Sequence, residues 1–347
     1  MNAMRIPLRP VLALLALPLL WACGGKGHYY EERGSVFHTS YHILYQTKEP
    51  MTTPIDTLFS RFNRSLNPFD PHSTIAKVNR NEPVEVDDWF AEVFHRAEEI
   101  SRISGGAFDI TCAPLVNLWG FGFERMDSVT PRMVDSLRAF VGYEKVKLVG
   151  RRVEKSDPRV TLDCSSIAKG YACDLIARLL EEAGAENYLV EIGGEVTMRG
   201  VNPQGECWRV GINKPETDSH DITNNQVEEI IQFCRKGGVA TSGDYRNFYV
   251  REGKKYAHTI NPATGYPAGQ SILSATVVAA DCMTADAYAT TFMVLGVDSA
   301  KALARTLPGI EYFLIYADEH GMQRSTYSKG MLPYLPNRQA LSVLENP

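Results

Sequence analysis

The chain has 347 residues, 44% of them hydrophobic and 22% charged, which is enough apolar material for a sizeable core and excludes an intrinsically disordered chain. A formal net charge of −5, with Lys and Arg in nothing longer than short groups, excludes a basic nucleic-acid-binding surface, so no nucleic-acid partner is expected. There is no internal repeat and no low-complexity segment.

Arg5 and Arg9 open a basic start, an apolar run follows, and the run ends at Leu20-Trp-Ala-Cys23. This is the pattern of an export signal, which is left out of fold reasoning. Its end resembles a bacterial lipoprotein cleavage site with Cys23 as the lipidated first residue; a plain cleaved signal with Cys23 as a spare thiol, or an uncleaved anchor, are the alternatives. Residues 1–22 then form the signal peptide, residues 23–34, opening with Gly24, Gly25 and Gly27, a flexible tether, and residues 35–347 the folded domain. The expected address is a bacterial cell envelope, lipid-anchored and facing the periplasm, on the inner or the outer membrane. The remaining cysteines, Cys112, Cys164, Cys173, Cys207, Cys234 and Cys282, show no C-x-x-C and no zinc-finger spacing. Several lie in apolar stretches, so buried free thiols are expected over a disulfide framework.

Ser35 to Tyr45 has strand composition and reads as the first strand. Pro54 to Asn67 reads as a helix with Ile55, Leu58, Phe59 and Phe62 on one face, and the turn residues after it expose the Phe69 ring. Asp87 to Ser104 is a second helix. After it, Gly105 and Gly106 allow the backbone at Ala107-Phe108-Asp109 to approach a ligand, or serve as a helix C-cap. Leu115 to Phe123 reads as a mobile aromatic loop around Trp119, and Thr130 to Phe140 as a short helix.

Arg159 to Asp174 reads as a short apolar strand, a polar turn and the first turns of a helix capped by Ser165 or Ser166 and closed by Gly184. A helix N-terminus after a strand offers free N–H groups and a positive dipole end, and Lys169 adds a charge, so this turn is a candidate phosphate seat. An ordinary strand–turn–helix unit with a solvated lysine is the bland alternative.

Tyr188 to Thr197 reads as a strand broken by a bulge at Gly193-Gly194, Trp208 to Asn213 as a strand, and Gly237 to Arg246 as a glycine-rich turn carrying hydroxyl groups. His258 precedes a further turn, and Ile272 to Ala279 is a β-branched strand. Asp281 caps the helix that follows. On it Asp286 and Thr290 stand four apart on one face, a carboxylate and a hydroxyl able to hold a magnesium ion; the alternative is an aspartate complementing the helix dipole and a threonine bonded back to the helix. Tyr312–Tyr316 and Gln323–Tyr327 read as a closing hairpin.

Taken together, Gly105-Gly-Ala-Phe-Asp109, Asp163-Cys-Ser-Ser-Ile-Ala-Lys-Gly-Tyr171, Ile192-Gly-Gly-Glu195, Ala240-Thr-Ser-Gly-Asp244, His258-Thr-Ile-Asn-Pro-Ala-Thr-Gly265 and Ala285-Asp-Ala-Tyr-Ala-Thr290 resemble the ApbE family of FAD:protein FMN transferases, in the family's order. The resemblance runs from about Ser35 to about Ala317. It implies an α+β, T-fold-like domain with FAD in a cleft between two lobes and Mg2+ at the pyrophosphate. It implies that Phe69, Ala107, Phe108, Asp109, Asp163, Lys169, Thr259 and Ile260 hold the flavin nucleotide, that Ser166, Asp286 and Thr290 hold the metal, and that His258 is the catalytic base. The sequence departs from the family at Phe37-His38, where the family often has methionine and glycine, and at Lys169, where some members carry glutamate.

The activity implied is Mg2+-dependent transfer of the FMN moiety of FAD to a threonine or serine hydroxyl of an acceptor protein, with release of AMP. The expected acceptors are redox or respiratory flavoprotein subunits on the exported side. A Mg2+-dependent FAD pyrophosphatase giving FMN and AMP, and a flavin-binding lipoprotein without turnover, are the alternatives.

Overall fold

The computed structural model describes residues 27–120, 129–215, 227–243, 248–251, 254–257, 259–269 and 271–338. In chain order the elements are β1 (His28–Val36), β2 (Thr39–Thr47), α1 (Thr52–Leu66), α2 (Thr74–Asn79), α3 (Asp88–Ile103), α4 (Ala113–Leu118), α5 (Pro131–Arg138), β3 (Val146–Val149), β4 (Arg152–Lys155) and α6 (Ser165–Glu182). There follow β5 (Tyr188–Ile192), β6 (Glu195–Arg199), β7 (Trp208–Asn213), β8 (Val227–Phe233), β9 (Gly237–Gly243), β10 (Phe248–Arg251), β11 (Lys254–Ala257), β12 (Ile272–Ala279), α7 (Cys282–Leu295), α8 (Val297–Ala304), β13 (Glu311–Ala317) and β14 (Gln323–Tyr327).

One sheet, in the order β1-β2-β5-β6-β9-β12-β13-β14, organises the molecule, and every neighbouring pair in it is antiparallel. Successive residues of a strand point to opposite faces. Val277 and Leu314 accordingly join the large core under the helices, while Val278 and Phe313 join a smaller core on the other face. The large core takes its helical side from α1, α3, α6 and α7. The hairpin β7–β8 covers the other face through Trp208, Ile212, Ile231 and Phe233. Helix α7 is buried without interruption from Cys282 to Ala289, so its sequence is apolar nearly all round instead of striped.

Several segments differ from the sequence-based expectation. Residues 35–45 are a tight hairpin and not one strand, because Phe37 and His38 turn the chain with φ of 53° and 60°. Strand β1 starts at His28 and pairs with β2 along its whole length, so the folded part reaches into the stretch assigned to the tether. Residues 160–163 belong to no strand; Asn79 holds both backbone groups of Leu162, at 2.7 and 2.9 Å. Leu115 to Leu118 lies in α4, and Trp119 is buried with its indole N–H donating to the Gly265 carbonyl. Gly193-Gly194 forms a two-residue hairpin loop between β5 and β6, with φ of 67° and 104° that glycine adopts without strain. Residues 237–243 form a central strand, and small side chains there let α7 lie close.

The cysteine expectation is half corrected. Cys207 and Cys234 form a disulfide with Cα atoms 4.6 Å apart, because the register that sets Trp208 opposite Phe233 sets the preceding and following residues within bridging reach. Cys164, Cys173 and Cys282 are buried free thiols, and Cys112 is half-buried and free.

Candidate functional site

Two motifs about fifty residues apart in the chain meet at the start of α6. The Asp163 N–H donates to the Ile110 carbonyl at 2.7 Å, which seats the Asp163 turn beside Ala107-Phe108-Asp109. Asp163 Oδ1 accepts from the Ser165 N–H at 2.8 Å and from its hydroxyl. The capping carboxylate is therefore Asp163, and neither Ser165 nor Ser166 caps the helix; Cys164 holds the N-cap position with no side-chain bond. Asp109 is held in the same manner, accepting from the Thr111 N–H and hydroxyl at 2.8 and 2.7 Å.

The second wall of the site is the seam between α6 and α7, which run antiparallel. Asp174 on α6 faces the start of α7, accepting from the Cys282 N–H at 3.0 Å and the Met283 N–H at 2.8 Å. One turn back on α6 and one turn on along α7, the Gly170 N–H donates to Asp286 Oδ2 at 3.1 Å. The same four-residue step, taken once more, brings Ser166 level with Thr290 where the seam opens into the cavity. Thr290 is steadied from the sheet by the Ser242 hydroxyl at 3.2 Å.

Charge is concentrated at this seam. Lys169 Nζ lies 3.0 Å from Glu195 Oε1 and 3.9 Å from Asp286 Oδ2, and both carboxylates are buried. Burial alone would lower the Lys169 ammonium, but the Asp286 and Glu195 charges outweigh it and hold it above its usual range. Burial pushes both carboxyls up, Asp286 against the pull of Lys169 and the Gly170 N–H, and Glu195 against Lys169 but with added repulsion from Asp286. Burial likewise raises Asp109, and it raises the Cys112 thiol well above its ordinary value.

These groups line one cavity of about 1110 Å³, slightly above the roughly 300–1,000 Å³ of ordinary small-molecule sites. It brings together Phe69, Ala107, Phe108, Asp109, Asp163, Ser166, Lys169, Thr259, Ile260, Asp286 and Thr290. Phe69 is 52% exposed and meets the His38 ring edge-on at 5.2 Å. Phe108 is only 1% exposed and belongs to the large core, so its ring serves packing. His258 lies outside the described residues, although its neighbours Thr259 and Ile260 are buried at the cavity wall. The sequence reading assigned no role to Glu195 or Ser242; a glutamate placed directly after Gly-Gly was the available signal for the first. Among the described residues, no three His, Cys, Asp or Glu side chains cluster as a metal site.

A family model described as the ApbE family matches residues 37–314. The FAD:protein FMN transferase of Vibrio cholerae is 36% identical over 305 residues, covering 85% of this chain and 90% of that protein. The protein of the same name from Haemophilus influenzae is 33% identical over 333 residues, covering 91% of this chain and 95% of its own. The solved flavin transferase ApbE from Vibrio cholerae superposes with a TM-score of 0.79 at 35% identity, over 89% of this chain and 99% of that one. The motifs converge on one cavity, the mixed helix-and-sheet fold matches a solved member at a third identity, and the family model spans most of the sequence: the chain belongs to the ApbE family.

Proposed function

We propose that this protein is an FAD:protein FMN transferase, which moves the FMN moiety of FAD onto a serine or threonine hydroxyl of an acceptor protein and releases AMP. The observation that carries the reading is the shared cavity wall on which the N-terminus of α6, Lys169 and the Asp286–Thr290 face stand together. A helix N-terminus and an ammonium attract a pyrophosphate, and relatives at 36% and 33% identity carry this activity in their names.

The donor set fits a magnesium ion, since Asp286, Thr290 and Ser166 offer hard oxygens and the bonds described for Asp286 all use Oδ2. When bound, the ion would neutralise charge on the pyrophosphate. The chain's own groups do the rest. The positive end of the α6 dipole and the Lys169 ammonium orient the phosphates, and Phe69, Asp109, Thr259 and Ile260 border the nucleotide. The acceptor hydroxyl oxygen bonds to the FMN phosphorus, the bond from that phosphorus to the bridging oxygen breaks, and AMP leaves with that oxygen. His258 takes the hydroxyl proton.

The acceptors in this reading are redox or respiratory flavoprotein subunits on the exported side of a bacterial membrane, and Cys23 carries a lipid that tethers the domain there. The Cys207–Cys234 disulfide supports an oxidising compartment. Mass spectrometry of the mature N-terminus tests the lipid.

The activity is tested with protein lacking residues 1–23, given FAD and Mg2+ with and without an exported acceptor flavoprotein, following AMP and in-gel flavin fluorescence. Mg2+-dependent AMP with a fluorescent acceptor band is expected. AMP without that band, across several acceptors, would instead make it a pyrophosphatase, and bound FAD with neither signal a binding lipoprotein.

A further inference from the structure

Asp174 sits two turns along α6 from Ser166, away from the cavity, and is 6% exposed. Its carboxylate ties three elements together. Oδ1 accepts from the Thr197 hydroxyl on β6 at 2.7 Å and from the Cys282 N–H at 3.0 Å, and Oδ2 accepts from the Met283 N–H at 2.8 Å. Cys282 and Met283 open α7, so their N–H groups have no partner within the helix. Asp281 takes the next one, from Thr284, at 2.8 Å. The first turn of α7 is thus capped partly by its own N-cap residue and partly from α6.

We propose that Asp174 is a positioning residue: by capping α7 from α6 it sets the register of the two helices, and with it the spacing of Ser166, Asp286 and Thr290 where the seam opens. The inference rests on the metal reading of those three residues. The register is continuous along the seam, since the Asp174 bonds to α7 and the Gly170 bond to Asp286 are one turn apart on both helices. No side chain could absorb a slip at Gly170, where even a methyl group would overlap the Cys282 carbonyl oxygen. Burying an ionised carboxylate is costly, and burial does push Asp174 up to about 6. A hydrophobic side chain would fill the volume without that cost but could not accept three donors.

The ion chosen makes the inference testable. Mg2+ demands near-ideal octahedral geometry, whereas Ca2+ accepts six to eight oxygens in flexible arrangements. A shift in register therefore harms Mg2+ more than Ca2+, and general destabilisation does not discriminate between them. The probe is the protein lacking residues 1–23 with FAD bound, titrated with Mg2+ or Ca2+ alone and followed by calorimetry and by metal-induced thermal shift. In Asp174→Asn the amide nitrogen meets a backbone N–H, donor against donor. The expected result is roughly tenfold weaker Mg2+ binding, a change within about twofold for Ca2+, and unchanged FAD affinity in chelator. Thr197→Val, which keeps the carboxylate and removes one bond, should show the same selective loss to a smaller degree if the asparagine variant does not fold. Phe313→Leu, in the core on the other face of the sheet, controls for stability and should weaken neither ion selectively. Equal losses for both ions, or unchanged Mg2+ binding in the folded variants, would overturn the proposal. No Mg2+ effect on the unmutated protein would overturn the metal reading itself.

Discussion

The Gly170 N–H donates to Asp286 Oδ2 at 3.1 Å, and a methyl group on Gly170 would stand 2.9 Å from the Asp286 Cβ besides overlapping the Cys282 carbonyl oxygen. The same glycine therefore brings the helices into contact and aims the carboxylate. Gly170→Ala should force α6 and α7 apart at a cost of about 2–3 kcal/mol, the scale of overpacking in a tight core. Urea unfolding measures the cost, and Mg2+-dependent AMP release should fall by at least roughly tenfold. Near-normal values for both would show that the seam can relax.

Lys169 is the one cation recorded against the buried Glu195 and Asp286 carboxylates among the described residues. Lys169→Met leaves two like charges buried without it, so about 3 kcal/mol should be lost at pH 8. Both carboxyls are raised in the folded protein, so they protonate first as the pH falls, and the loss should shrink towards pH 5. A penalty that stays constant between the two pH values would show that the pair is not ionised together.

Asp174 makes its own contribution to pH dependence. Burial raises it from 3.8 to about 6, opposed by the Cys282 and Met283 N–H groups, with repulsion from Asp281 and a bond from Thr197 as smaller influences. A carboxyl raised in the folded state binds its proton more tightly there than when unfolded. Its stabilising contribution is present below the unfolded value and is lost as the pH rises through about 6, amounting to about 3 kcal/mol. Thermal unfolding should show higher stability near pH 5 than near pH 8, with a flatter profile in Asp174→Asn.

The Cys207–Cys234 bridge closes a sequence separation of 27 residues around β7 and β8. Replacing both cysteines by serine should cost about 3 kcal/mol, mainly by freeing the unfolded chain. The hairpin covers the smaller core, so the loss should appear as earlier exposure of Trp208 to solvent, followed by fluorescence. Unchanged stability after full reduction would count against this role.

For His258→Ala, FAD binding should persist while AMP release and labelling of the acceptor fall by roughly a hundredfold or more. Equilibrium quenching of flavin fluorescence separates the two effects. Retained transfer would remove His258 as the base.

Much of this protein was legible without coordinates where the signal is local. The apolar spacing of α1 and α3, the Asp281 cap on α7 and the turn after α6 follow from periodicity and capping chemistry within a few residues. The motif order likewise pointed to the ApbE family, because each motif is short and contiguous. Ends and breaks of strands were harder to read. The Phe37-His38 turn carries no glycine, and positive φ at such residues leaves little trace in composition. Residues 237–243 looked like a turn because their small side chains suit a flexible loop as well as a strand pressed against a helix.

By itself the sequence determined which residue types could do chemistry, and that Ser166 and Lys169 share one helix and Asp286 and Thr290 another, since those depend on neighbours along the chain. Only the tertiary structure decided that α6 and α7 lie antiparallel in a register that sets Asp286 beside Gly170 and Lys169, that Glu195 enters from the β5–β6 hairpin to pair with Lys169, and that Cys207 reaches Cys234. These are contacts between residues far apart in the chain, chosen by sheet order and close packing, and no local pattern encodes that choice.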